Sequence, residues 1–256
     1  MTEADPLAEL IGRSLRTEVS DVRSEVVRRD PHVELERVHF RAEGVERSLL
    51  LKRVPRERDL EVQLLPFLAR KSPSVPRVHS RGIPPPAVPA KRWLLLDDTL
   101  DAPSACDVDP RAIVAAKVAI ERAVGADGPA LRALGVPALP PSAIAELAPP
   151  DQAADAVEAA RRLADWPTAL VHGDLSCANA ALVDGQVQIG EWRWAHLGCA
   201  LLDIVRLTGD IVGRGEAVLG IGLSRVYGGL VDRQIGTDEL RAAELLERLA
   251  ARYRRD

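Results

Sequence analysis

One run of residues constrains this chain more than any other: His172-Gly173-Asp174-Leu175-Ser176-Cys177-Ala178-Asn179, followed by Glu191-Trp192. The apolar Ala169-Leu170-Val171 just before it has the make-up of a short buried strand, which leaves Asp174 on a loop, where it can take a proton. Asn179 follows at a distance that lets one tight loop present both side chains to the same metal–phosphate group. Val187-Gln188-Ile189 reads as a second short strand, with Glu191 just past its end. Two carboxylates and an amide are oxygen donors of the kind a hard Mg²⁺ ion takes.

These residues resemble the catalytic segment of the aminoglycoside phosphotransferase and choline kinase group, a branch of the protein kinase-like fold. That group carries His-Gly-Asp, an Asn five residues after the Asp, and then Ile-Asp-Trp, which here is Gly190-Glu191-Trp192. Gly198 and Asp203 match its habit of a Gly followed by an acidic residue opening the next helix. The motif identity is strong over about residues 168–203, and the resemblance spans most of 20–205. It implies an α+β, bilobal fold with a small β-rich nucleotide-binding N-lobe, 1–97, and a mainly helical catalytic and substrate lobe, 98–256. It implies Asp174 as the catalytic base, Asn179 as a Mg²⁺ ligand, and Glu191 in the place of the principal metal-binding Asp. Glu is one methylene longer than Asp, so its carboxylate overshoots a site built for Asp unless the backbone retreats.

The front third agrees with such a lobe. Leu7–Leu15 reads as a short helix, and Val22–Val27 and Val33–Phe40 as strands around an Arg-Asp-Pro-His turn. Ser48-Leu49-Leu50-Leu51-Lys52 is an apolar strand ending in a lysine, a rarity among only four in the chain. A helical pattern with Leu60, Leu64, Leu65 and Leu68 follows, which Pro66 is expected to kink or end. By resemblance Lys52 contacts the α and β phosphates of ATP, held by Glu61 or, one turn earlier, Glu57. A lysine aimed at phosphates needs a carboxylate to fix its flexible stem. Trp93–Leu96 is another buried strand, and the backbone of Leu96, Asp97 and Asp98 is the expected adenine-binding hinge. The first hairpin departs from the pattern, since Arg28-Arg29-Asp30-Pro31-His32 offers no glycine amides to phosphates.

The remainder reads as helical: Pro110–Val124, a loose stretch over 130–150 that is a helix pair or a substrate loop, a helix capped by Asp151, and helices after Asp203, the last capped by Thr237. Ala154, Val157, Ala160 and Leu163 define the expected buried face of the Asp151 helix. Trp192 fits a core role, while Trp194 could belong to the core or line the acceptor pocket, and His196 fits a structural role. Acidic residues after Asp203 are balanced by arginines and read mostly as helix-surface charge, unlike the acidic cleft that a polycationic antibiotic requires.

The net charge of −4 gives no argument for nucleic acid or an anionic membrane, and neither is expected as a partner. No apolar run reaches the length of a membrane span, and the start Met1–Pro6 is acidic, unlike a secretory leader, so a cytoplasmic location is expected. Cys106, Cys177 and Cys199, few and without CxxC spacing, argue against disulfides or zinc, and Cys177 reads as a small semi-buried filler. The function these features imply is ATP- and Mg²⁺-dependent phosphoryl transfer to a hydroxyl of a small molecule. The rival is a non-catalytic kinase-like binding or scaffold protein, motivated by Glu191 and the glycine-poor hairpin. A hydrolase using Ser176 lacks the Gly-x-Ser-x-Gly elbow such a nucleophile needs.

Overall fold

The structure is a computed structural model that describes residues 5–55, 60–82, 91–216, 220 and 222–253. The chain opens with helix α1, Pro6–Leu15, whose first turn is capped by the Asp5 side chain. Strands β1 (Val19–Asp30), β2 (Val33–Ala42) and β3 (Val45–Val54) then form an antiparallel meander. The turn between β1 and β2 is held by Asp30 Oδ1, which accepts from the His32 and Val33 amides at 2.8 and 2.9 Å. After α2 (Leu60–Ala69) come β4 (Val78–Gly82) and β5 (Arg92–Asp97), completing a five-stranded sheet in the order β1-β2-β3-β5-β4.

Strand alternation sets which side chains meet. Leu49, Leu51 and Leu95 face α1 and pack with Ile11, Val38 and Phe40. Leu50, Leu94 and Leu96 face the other way, into the large core shared with α2 and the helical half. Lys52 is two residues from Leu50, so the same alternation turns its ammonium toward α2.

Pro66 does not end α2, which runs on to Ala69. The bond that a residue 66 amide would give to the Val62 carbonyl is supplied instead by Arg81 Nη1, at 3.2 Å.

Beyond Asp97 the chain is mainly helical. Short α3 (Ala105–Val108) leads into α4 (Pro110–Val124). The stretch 130–150 resolves as two short helices, α5 (Gly128–Ala133) and α6 (Pro141–Ala145), and α7 spans Ala153–Arg162. Asp151 does not cap α7; it lies in a 3₁₀ turn, and the cap position is Gln152 with no side-chain bond. The buried face of α7 is Ala156, Ala159, Ala160 and Leu163, while Val157 is 63% exposed. These positions recur at helical spacing, with Asp155, Arg161 and Arg162 exposed, and the stripe packs against α6 and the last helix.

Four short strands follow: β6 (Thr168–Val171) pairs with β9 (His196–Cys199), and β7 (Ala180–Val183) with β8 (Gln186–Ile189). Helices α8 (Leu201–Gly213), α9 (Leu223–Leu230) and α10 (Thr237–Tyr253) close the chain. Among the described residues no helix is long and apolar enough to cross a membrane.

Candidate active site

The His172–Asn179 loop leaves β6 and returns through a single 3₁₀ turn, Cys177–Asn179, into β7. Gly173 makes its path possible. Its φ is +84°, and a Cβ there would sit 2.3 Å from the Trp194 carbonyl oxygen.

One face of α8 holds the loop's backbone. Asp203 is buried and accepts from the amides of His172 and Gly173 at 2.7 and 2.9 Å. Arg206 places both Nε and Nη2 on Asp174 Oδ1, at 3.2 and 3.0 Å. Asp210 accepts from the Cys177 amide at 2.9 Å. Positions 203, 206 and 210 recur at helical spacing, so one stripe of α8 engages the loop at four points. Asp203 is in turn fixed by Lys117 of α4, wholly buried, whose ammonium lies 3.1 Å from Asp203, 2.5 Å from Glu121 and 2.8 Å from the Leu170 carbonyl. Burial works against charge on both partners. Lys117 nonetheless titrates above its ordinary value because of Glu121 and Asp203, and Asp203 below its own because of Lys117 and His172.

His172 joins this loop to the one carrying Glu191. Its Nδ1 accepts from the Asp174 amide at 3.2 Å, and its Nε2 donates to the Gly190 carbonyl at 2.7 Å. That pattern defines the neutral Nε2–H tautomer, and burial lowers the pKa in agreement. Trp192, fully buried, packs edge-on against His172 with ring centres 4.7 Å apart. The Asn179 side chain donates to the Asp174 carbonyl at 2.9 Å, and the Asn179 carbonyl accepts from the Gly190 amide at 2.9 Å, so both loops are laced together.

Glu191 itself sits in the left-handed region, φ 62° and ψ 47°. This turns its carboxylate toward the sheet, where Oε1 meets the Lys52 ammonium at 2.7 Å and Oε2 lies 3.2 Å from Arg193 Nη2. Lys52 also meets Glu61 Oε2 at 2.5 Å, and Glu61 Oε1 accepts from the Trp192 amide at 3.1 Å. Lys52 and Glu61 are 3% and 1% exposed, so neither charge is shared with bulk water. Burial opposes the ammonium, yet Glu61 and Glu191 together raise the Lys52 pKa above its usual value. Burial likewise opposes the Glu191 carboxylate, and Lys52, then Arg193 and Arg28, hold its pKa below the usual range. Arg28, on the glycine-poor hairpin, thus lies within electrostatic reach of Glu191, whereas Arg29 is occupied with Glu34 at 2.6 Å. Glu57 lies outside the described residues.

Lys52, Glu61, Asn179 and Glu191 line one cavity of about 270 Å³, together with Leu35, Leu50, Leu96 and Asp97. It is apolar toward the sheet and strand β5, and its charged lining is Lys52 with the carboxylates Glu61, Asp97 and Glu191. Gln188 shares the wall, and its buried Oε1 has no hydrogen-bond partner among the described residues. The Asp97 amide donates to the Arg77 carbonyl at 3.2 Å, and its carboxylate accepts from His79 Nε2 at 2.6 Å. The Asp98 side chain turns to Arg37, 2.7 Å away. Asp174 stands apart from this wall and lines a neighbouring cavity with Trp194 and Arg206.

The cysteines behave differently from the sequence reading. Cys106 of α3 and Cys177 of the His172–Asn179 loop form a disulfide across a separation of 71 residues, both buried. Only tertiary contact reveals that pair, because neither local spacing nor cysteine count carries it. Cys199 remains a free, buried thiol, pushed up to about 12 by burial. Arg206, Asp210 and Lys117 were also not singled out from sequence as site residues. The helical spacing of residues 203, 206 and 210 was the available signal for the first two, and nothing local marks Lys117.

No family model and no curated protein matches the chain. Among solved structures it is similar to the aminoglycoside phosphotransferase APH(3'')-Id from Streptomyces rimosus in complex with ADP and streptomycin, at 15% identity and TM-score 0.60, covering 97% of this chain and 99% of that one. It is similar to the amicoumacin kinase hAmiN, in complex with AMP-PNP, Ca²⁺ and its ligand, at 15% identity and TM-score 0.61, covering 96% and 84%. A choline/ethanolamine kinase family protein from Mesorhizobium loti aligns at 18% identity and TM-score 0.58, covering 90% and 77%. The chain therefore has the bilobal, protein kinase-like fold of these proteins, as its catalytic-loop residues implied.

Proposed function

We propose that this protein is an ATP-dependent phosphotransferase that moves the γ-phosphate to a hydroxyl of a small molecule. The observation that carries this is the Lys52–Glu61–Glu191 cluster on the wall of a half-apolar cavity that Asn179 also lines, with Asp174 one loop turn away at the mouth of a second cavity. On this reading residues 1–97 bind the nucleotide and 98–256 supply catalysis and the acceptor site, in a cytoplasmic enzyme where ATP is abundant.

The chain's residues fit a magnesium nucleotide. Asn179 and Glu191 are the protein oxygen donors for Mg²⁺, few enough to leave positions for phosphate and water, and the unpartnered Gln188 oxygen stands on the same wall. Bound MgATP would supply the phosphoryl group and offset its charge. Lys52, oriented by Glu61, holds the α and β phosphates, and backbone groups of Leu96 to Asp98 meet the adenine edge. With Asp174 Oδ1 committed to two Arg206 donors, Oδ2 is the atom left to receive the acceptor's hydroxyl proton. Such general-base help contributes about 10²–10⁴-fold, the rest coming from positioning and electrostatics.

A second reading, a kinase-like binding or scaffold protein without turnover, has its own support: Lys52 and Glu191 are bonded to each other, and the first hairpin has no glycine. Calorimetry separates the two, since the enzyme binds ATP with Mg²⁺ and the scaffold does not at millimolar nucleotide. Asp174→Asn is expected to cut turnover by about 10²-fold or more while leaving the fold and ATP binding intact. Glu191→Asp keeps turnover, because Asp tolerates the left-handed backbone well, and Glu191→Ala loses it. Unchanged turnover in Asp174→Asn would refute the assigned mechanism.

A further inference from the structure

The cavity beside Asp174, about 580 Å³, is walled mainly by charge. Arg206, Arg248 and Arg252 line it, against Asp174 and Glu247, with Trp194 as its aromatic side. Arg206 is engaged, 3.0 Å from Asp174 and 3.9 Å from Glu247. Arg248 and Arg252 are not: both are exposed, they stand one turn apart on α10, and neither makes a hydrogen bond or ion pair among the described residues. Two like charges at this spacing weaken a helix slightly. Here they sit on the rim of the cavity into which the proposed base opens.

Resting on the phosphoryl-transfer reading above, we propose that the acceptor is anionic: a small hydroxyl compound that also carries a carboxylate or phosphate, gripped by Arg248 and Arg252 while its hydroxyl meets Asp174. Guanidinium groups bind either oxyanion through paired donors, so both chemistries are included. Trp194 gives the acceptor's carbon frame a flat apolar surface. A polycationic acceptor would have to approach Arg248 and Arg252, the arginines that no carboxylate pairs among the described residues, and like-charge juxtaposition disfavours it.

The test is ADP release with a charge-sorted acceptor panel of sugars and polyols in neutral, amino, carboxylate and phosphate forms. It is run on the wild type and on Arg248→Gln/Arg252→Gln, two exposed changes that keep good helix formers. The expected result is turnover of anionic members, the carboxylate and phosphate arms telling which oxyanion is preferred. In the double variant KM rises roughly 10-fold or more with kcat little changed, and the wild-type preference fades as salt is raised. Preferred turnover of neutral or amino acceptors would overturn the proposal while leaving phosphoryl transfer standing. An unchanged KM in the double variant overturns it too. Should ATP bind but no anionic member react, and inorganic phosphate protect wild type and double variant equally against heat, the anionic site is absent. Failure to bind ATP at all removes the transfer reading and this proposal with it.

Discussion

Lys117 shows how much of the His172–Asn179 loop depends on one residue outside it. Its ammonium is wholly buried and neutralises Asp203, which carries two amides of the catalytic loop. Removing one member of a buried pair leaves an uncompensated charge, a larger loss than the pair's own net worth. Lys117→Met is therefore expected to lower unfolding free energy by about 3–5 kcal/mol in urea titrations. Loss under 1 kcal/mol would mean that Asp203 finds another cation or that water reaches it. The sequence marked Asp203 by its place after Gly198, and marked Lys117 only as one of few lysines. Their meeting joins residues 86 positions apart, which no local pattern encodes.

Elements show the same division. The sequence marked Ser48–Lys52 and Trp93–Leu96 as apolar strands, and the sheet then turns Leu50 and Lys52 to one face and Leu49 and Leu51 to the other. Helix α2 did not obey the local rule for proline, because Arg81 from β4 supplies the bond that Pro66 lacks. Arg81→Ala is expected to cost about 1 kcal/mol, as the Val62 carbonyl is left buried without a partner. In a Pro66→Ala background, where an amide can reach that carbonyl, the cost should largely vanish, and a double-mutant cycle in denaturant measures the coupling. Additive losses would show that Arg81 acts elsewhere. Helix α7 kept helical spacing but turned a neighbouring stripe inward: Ala156, Ala159, Ala160 and Leu163 are buried, while Val157, placed on the expected face, is exposed.

Across the whole molecule, the catalytic loop is fastened from three directions: by α8 through Asp203, Arg206 and Asp210, by the Glu191 loop through His172, and by α3 through the Cys106–Cys177 disulfide. A cross-link closing so long a stretch contributes about 2–4 kcal/mol, and burial of both sulfurs slows exchange with thiols. Reductant is expected to lower the denaturant midpoint of the wild type and to leave that of Cys106→Ala/Cys177→Ala unchanged; equal behaviour of the two would argue against the bond. What the sequence alone determined is what local spacing can carry: the strand ending in Lys52, the helix after it, and the loop that bears Asp174 and Asn179, since these depend on short-range patterns and on short turns. What the tertiary structure decided is which charges are paired: Glu191 with Lys52, Asp174 with Arg206, Lys117 with Asp203, and two cysteines with each other. Each pair joins residues more than thirty positions apart, and only packing brings such partners within bonding distance.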